Sequence, residues 1–252
     1  MKRFFLSICL TPLLTLHAHD HLEVGESTIN PKQLGFWGPA IQYTLYVPAG
    51  ELFSGYIPNF PGGYFADELS FTTEAEILNI AQGADPEIEL VSVTGPAGGS
   101  FSFWDVGAVT PTWSRISGWT QSSTDRPSFP VILGGIGHIH GRAFSTDRPG
   151  DFLVVFRARD RNSRYAISTD YLVTFRALNP PPLTIRNQNG QVVINFNSRK
   201  NLVYDLEICT DLTGGVWSLL EPHTRMDGTG GTIECPVPIE HPRAFFRLIE
   251  YK

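Results

Sequence analysis

Two pairs of histidines, separated by more than a hundred residues, are the part of this sequence with the clearest chemical potential. His19 and His21 lie in HAHDHLE, and His138 and His140 lie in GHIHG. The chain has only 7 histidines in 252 residues. That frequency predicts about 0.2 His-x-His pairs by chance, whereas three occur when His17 is included. Because imidazole nitrogen is a preferred ligand of zinc and copper, the spacing indicates a metal site.

Strand geometry explains how such pairs could act together. Alternate side chains of a β-strand face the same side, so His19, His21 and Glu23 would share one face, as would His138 and His140. Zinc takes about four ligands at about 2.0–2.2 Å, and each stretch alone offers too few. We therefore expect one zinc ion bound by His21, His138 and His140, assisted by His19 or Glu23.

The first eighteen residues have the pattern of a secretory signal peptide. Lys2 and Arg3 precede an apolar run from Phe4 to Leu16, which is too short to cross a bilayer as a helix. Cleavage is expected after Ala18. The mature chain is then secreted or extracytoplasmic, in the periplasm or at the cell surface.

Two alternatives to a zinc site remain open. Cleavage after Ala18 would make His19 the N-terminal residue, whose amine and imidazole could bind copper with a further histidine. The histidines could also be incidental to a surface or structural interaction module that binds no metal. An enzyme is disfavoured, because the sequence has no nucleophile motif, catalytic carboxylate pair or phosphate-binding loop.

The charge of the mature chain opposes two classes of partner. Removing Lys2 and Arg3 leaves 17 basic and 25 acidic residues, a formal charge of −8. Such a chain repels nucleic acid and anionic membrane surfaces. No second long apolar run is present, so we expect no membrane span after cleavage.

Glycine (24), proline (19) and aromatic residues (12%) are frequent, and no stretch keeps a helical apolar period. The chain is predicted to be all-β, with a β-sandwich over residues 19–178, a Pro-rich linker over 179–183 and a smaller β-sandwich module over 184–252. Asn189-Gly190 between two alternating runs predicts a hairpin. The other runs with strand character are 41–48, 87–95, 100–106, 151–160, 170–178, VYDLEICT, VWSLLE, GTIECPV and AFFRLIEY.

Two cysteines remain after the predicted cleavage, Cys209 and Cys235. An even pair in an oxidising compartment favours a disulfide. It would close a loop of about 26 residues and contribute about 3 kcal/mol in the chain-entropy model. The alternative is two unpaired thiols in neighbouring strands.

Residues 19 to 178 resemble the actinobacterial surface-anchored repeat, also called the choice-of-anchor M domain. The matching runs are VSVTGPAGGSFSFWDVG (91–107), GHIHGRAFSTDRPGDFLVVFRARD (137–160) and DHLEVG (20–25), with His138, His140, Phe144, Pro149, Gly150 and Phe152 at the positions of the family pattern. The resemblance places His21 on the family's histidine and Glu23 on its aspartate. This chain has Arg142-Ala143 where the family commonly has Asn-Trp.

That resemblance implies an extracytoplasmic β-sandwich in zinc-responsive settings, with metal-uptake or cell-surface components as partners and no established reaction. The C-terminal stretches YDLEICTDLTGGVWSLL (204–220) and RAFFRL (243–248) resemble fibronectin-III-like modules of secreted bacterial proteins. This second resemblance implies packing or attachment more than chemistry.

Overall fold

The computed structural model describes residues 20–37, 42–45, 63–66, 69–73, 83–133, 142–238, 241 and 243–251. These residues form strands and turns, with no helix among them. The protein is all-β, with several sheets in a sandwich-like arrangement, as its composition predicts. Within the described ranges, no helix has the length and apolar character needed to cross a membrane.

Residues 20–177, called here the N-terminal module, contain thirteen strands among their described parts. They are β1 (Asp20–Glu26), β2 (Leu34–Trp37), β3 (Gln42–Leu45), β4 (Tyr64–Ala66), β5 (Leu69–Thr73), β6 (Pro86–Thr94), β7 (Ser100–Trp104), β8 (Trp113–Ile116), β9 (Ser128–Pro130), β10 (Ile132–Leu133), β11 (Ala143–Thr146), β12 (Gly150–Asp160) and β13 (Tyr171–Ala177).

The strands predicted over 87–95, 100–106, 151–160 and 170–178 are confirmed as β6, β7, β12 and β13. The strand predicted over 41–48 is confirmed as β3 in its described part, and residues 41 and 46–48 lie outside the described ranges. In β12 the even-numbered side chains Phe152, Val154, Phe156 and Ala158 are fully buried. This period of two is what a strand with one face on a core requires.

Three sheets make up the N-terminal module, and each is named after a central strand. The β1 sheet has the order β10-β5-β1-β2, the β7 sheet has β4-β11-β7-β8, and the β12 sheet has β3-β13-β12-β6-β9. Most neighbours are antiparallel, but β5 is parallel to both β1 and β10, and β3 is parallel to β13. Parallel neighbours cannot be joined by tight hairpins, so these pairings connect segments distant in the chain.

The first hydrophobic core lies between these sheets and includes eight phenylalanines among its described residues. Phe144 is 1% exposed and lies at the centre of the aromatic cluster. Its ring has centroid separations of 5.0–6.2 Å from the rings of Phe71, Phe101, Phe103, Phe129, Phe156 and Phe175. Edge-on, tilted and stacked pairs of this kind add about 0.5–1.5 kcal/mol per pair beyond the burial of apolar area.

Residues 184–251, called here the C-terminal module, form two further sheets around a second core. The strands are β14 (Thr184–Gln188), β15 (Gln191–Asn197), β16 (Val203–Cys209), β17 (Ser218–Leu219), β18 (Met226–Asp227), β19 (Thr232–Val237) and β20 (Phe245–Tyr251). One sheet has the order β14-β15-β19; in the other, β16 pairs with β17, β18 and β20. The second core includes Ile194, Phe196, Tyr204, Leu206 and Leu248.

The predicted Asn189-Gly190 hairpin is confirmed. β14 and β15 are antiparallel, and Gln188 pairs with Gln191, which leaves a two-residue turn. Both turn residues have positive φ, 54° for Asn189 and 82° for Gly190. These values fit a type I′ turn, which asparagine and glycine favour.

The structure does not contain the predicted Cys209–Cys235 disulfide. Both cysteines are buried free thiols. Cys235 lies on β19 in the second core, where its Sγ is 3.6 Å from Sδ of Met226. Cys209 lies at the end of β16 in the other sheet and donates to the carbonyl oxygen of Asp211 at 3.2 Å. The two thiols therefore sit in different sheets with different partners, and burial raises the pKa of Cys235 to about 11.

Candidate metal centre

The first predicted ligand pair falls at β1, which lies between two neighbours in its sheet. β2 runs antiparallel on one side of β1 and β5 runs parallel on the other. Leu22 and Val24 are buried in the first core, so their alternation explains why this stretch is a strand. The backbone of His21 pairs with that of Ser70, whereas its side chain and all of His19 lie outside the described part of the chain.

Glu23 is the predicted ligand whose side chain the structure describes. It is half-buried, between the inward-facing Leu22 and Val24. Its backbone is flanked by Trp37 of β2 and Thr72 of β5. Among the described residues, none donates a hydrogen bond to this carboxylate or forms an ion pair with it. Its oxygens are therefore uncommitted within that part of the molecule.

His138 and His140 lie in residues 134–141, outside the described ranges, but the residues on both sides are described. On the N-terminal side, β10 belongs to the β1 sheet and runs parallel to β5. Ile132 pairs with Thr72, which on its other side pairs with Glu23. Ile132 and Glu23 are thus at the same level of one sheet, two strand spacings or about 9–10 Å apart.

On the C-terminal side of this segment, Arg142 bonds the last residue of β9. Its Nη1 donates to the carbonyl oxygen of Pro130 at 2.7 Å, and its Nε donates to Oδ1 of Asp105 at 2.8 Å. The guanidinium carbon lies 5.9 Å from the ring centroid of Phe103 and 5.7 Å from that of Phe129. The side chain is only 10% exposed, and its bond to Pro130 holds residues 130 and 142 close together.

The local sequence marks Arg142 only as a departure from the family pattern and does not reveal this role. An arginine two residues after a His-x-His pair was the available signal. Its partner Asp105 lies 37 residues earlier in the chain, between β7 and β8, and nothing in the local sequence connects the two. The structure therefore adds Arg142 and Asp105 to the residues that organise this region.

A second group of charged side chains lies on the face of β6 and β12 opposite the first core. Nη1 of Arg159 is 3.1 Å from Glu89 and 3.6 Å from Glu87. Glu87 also accepts a hydrogen bond from Ser128 at 3.0 Å, and Glu89 one from Gln121 at 3.4 Å. Glu89 is 1% exposed and Glu87 is 8% exposed. Because both carboxylates are already partnered, the group stabilises the sheet and offers no uncommitted ligand.

Among the described residues, no three His, Cys, Asp or Glu side chains are grouped so as to hold a metal ion. Of the five predicted ligands, only the Glu23 side chain belongs to that part of the chain. The meeting of His21, His138 and His140 therefore stays a prediction.

No model of a known protein family matches the chain, and no curated protein matches its sequence. The resemblance to the surface-anchored repeat therefore remains based on the motifs alone.

Proposed function

We propose that this protein is a secreted, zinc-binding β-sandwich protein that handles metal at the cell envelope. The ion is bound by His21, His138 and His140, and Glu23 or His19 completes the ligand set. The observation that carries this proposal is the order of the β1 sheet, in which a single strand, β5, separates β1 from β10.

This strand order makes the geometry of the proposed site feasible. His138 follows Ile132 by six residues, and six residues can extend about 20 Å. That reach is about twice the spacing of 9–10 Å between β1 and β10. The separation in sequence between the two histidine pairs is therefore no obstacle to a shared ion.

The carboxylate of Glu23, which no described residue bonds, also supports the proposal. Three neutral imidazoles and one carboxylate form an ordinary ligand set for zinc. Since a histidine must be deprotonated to bind the ion, zinc affinity should fall as the pH drops below about 6.5. The carboxylate would supply a negative charge opposite the ion.

Metal analysis of the purified protein tests the proposal. The wild-type chain, the double variant His138→Ala/His140→Ala and Glu23→Gln are dialysed against a trace mixture of zinc, copper and manganese, and bound metal is measured by mass spectrometry. We expect about one zinc per wild-type chain and none in the double variant. Glu23→Gln should weaken zinc binding by about tenfold or more.

His241→Ala is the matched control, because His241 is exposed and belongs to the C-terminal module. It should bind zinc like the wild type. Stoichiometric copper that depends on His19 would replace this proposal with a site at the mature N-terminus. Absence of bound metal from the wild type, with melting unaffected by a chelator, would contradict both and favour an interaction module.

A further inference from the structure

The chain between the two modules is bonded from both sides at Asn179. The phenol of Tyr64 donates a hydrogen bond to Oδ1 of Asn179, and Nη2 of Arg199 donates to its main-chain oxygen at 3.1 Å. Tyr64 is 8% exposed and belongs to β4 and the first core. Arg199 follows β15 in the C-terminal module. One linker residue therefore contacts groups that belong to both modules.

Arg199 is itself held by the C-terminal module. Its Nη1 is 2.5 Å from Oε2 of Glu250 on β20, and its backbone N–H donates to the phenol oxygen of Tyr204 at 2.7 Å. Tyr204 in turn donates to Oε1 of Glu250 at 2.6 Å. Tyr204 and Glu250 are 0% and 1% exposed. The guanidinium that reaches the linker is thus anchored to the interior of the second core.

Because Tyr204 and Glu250 are buried, the hydrogen bonds that they make with Arg199 cannot easily be replaced by bonds to water. Burial raises the pKa of Glu250, while the bonds from Tyr204 and Arg199 act in the opposite direction. A buried carboxylate that loses its partner is strongly destabilising. Arg199 is therefore committed to Glu250, and the position from which it bonds Asn179 is set by the core.

The rest of the linker leaves little free chain. The N–H of Leu178 donates to the carbonyl oxygen of Leu45 at 3.2 Å, which extends the pairing of β13 with β3. Leu183 packs against the second core, and Pro181 is buried. Residues 179–182 alone lie between these two attachments, and prolines at 180–182 restrict their backbone.

We infer that residues 179–183 form a clamped joint, in which Asn179 is bonded by Tyr64 from one module and by Arg199 from the other. The two modules then move as one body in solution. Independent motion is the ordinary behaviour of modules joined by a short linker and a small interface, so the clamp has a measurable consequence. It fixes the orientation in which the C-terminal module is presented relative to the N-terminal one.

Rotational correlation times of the two modules, measured by ¹⁵N relaxation on the full chain, test the clamp. In the wild type both modules should give the same value. In the double variant Tyr64→Phe/Asn179→Ala, the smaller C-terminal module should tumble faster, with its correlation time reduced by roughly half toward that of a free module. Asn179 is exposed and Tyr64→Phe removes only a hydroxyl, so neither core is opened.

Asn187→Ala is the matched control. The Oδ1 atom of Asn187 accepts a hydrogen bond from Gly190 at 3.0 Å within the β14–β15 hairpin, so its loss is confined to one module. This variant should keep a single correlation time. Two correlation times in the wild type, or a single unchanged value in the double variant, would overturn the inference. Neither outcome depends on metal binding.

Discussion

The side chain of Asp160 accepts hydrogen bonds from four backbone N–H groups among the described residues. This residue ends β12 and is 2% exposed. Burial alone would raise the pKa of this carboxyl. The N–H groups of Asp85, Asn162, Arg164 and Tyr165 donate to it at 2.7–3.2 Å, and together they hold its pKa below the usual range. One side chain thus fixes the turn after β12 against the residue that precedes β6.

We expect Asp160→Asn to lower the free energy of unfolding by about 2–4 kcal/mol. Hydrogen bonds to a charged acceptor contribute about 1.5–3 kcal/mol each, and the NH2 group of the asparagine would face backbone N–H groups that can only donate. The folded pKa lies below the unfolded value of about 3.9. The contribution of the carboxylate is therefore complete above that value and is lost as the pH falls through the folded pKa. Urea denaturation should show a smaller difference in the free energy of unfolding between wild type and variant at pH 2 than at pH 7.

Asp170→Asn is the control for this prediction. Asp170 is paired with Arg157 but is 51% exposed, and such pairs contribute about 0–1 kcal/mol. An equal loss of stability in both variants, or a gap for Asp160→Asn that does not change with pH, would contradict the argument.

The segment between β10 and β11 is the element on which the proposed function depends. Arg142 is the first described residue after this segment; it bonds Asp105 and Pro130, the last residue of β9, and lies over Phe103 and Phe129. Lysine cannot reproduce this arrangement, because its single ammonium lacks the planar fork of donors. Arg142 therefore positions the chain immediately after residues 134–141, the stretch that includes His138 and His140.

We expect Arg142→Lys and Arg142→Met each to lower the free energy of unfolding by about 1–3 kcal/mol, through loss of charged hydrogen bonds and of the contact with the two rings. Urea denaturation at pH 7 measures this loss. Arg148→Met is the control, because Arg148 likewise bonds a carbonyl oxygen, that of Ala97, and an aspartate, Asp147, but is 44% exposed. Full stability in Arg142→Lys would refute the positioning role.

At the scale of the whole molecule, the two large apolar clusters are separate. The first is built around Phe144 and its aromatic neighbours, and the second includes Leu206 and Tyr204. A cavity in one cluster cannot be filled by side chains of the other. The clamp at Asn179 couples the motion of the modules without merging these clusters.

We expect Phe144→Ala to cost about 3–5 kcal/mol and Leu206→Ala about 2–5 kcal/mol, each confined to its own module. Native-state hydrogen exchange measures this directly. Phe144→Ala should speed exchange of amides in β12 and β13 and leave those in β16 and β20 protected, and Leu206→Ala should do the reverse. Equal loss of protection in all four strands would show one cooperative core instead of two.

Most of the secondary structure that was predicted correctly depends on residues that are close together in the sequence. The alternation in β12 and the Asn189-Gly190 turn are set by neighbouring residues, through the period of two and the positive φ that glycine and asparagine tolerate. The all-β class followed from the same signals. β10 and β18 are only two residues long, too short for a periodic pattern, and were not predicted.

Features that join distant residues were decided only by the tertiary structure. The disulfide prediction failed because the placement of Cys209 and Cys235 in different sheets depends on strand order, which local propensity does not encode. The four donors to Asp160, the bond from Arg142 to Asp105 and the clamp on Asn179 also pair groups that only folding brings together. By itself the sequence determined which residue types could bind zinc. The fold determined that β1 and β10 share a sheet, because a parallel pairing through β5 can only form between segments far apart in the chain.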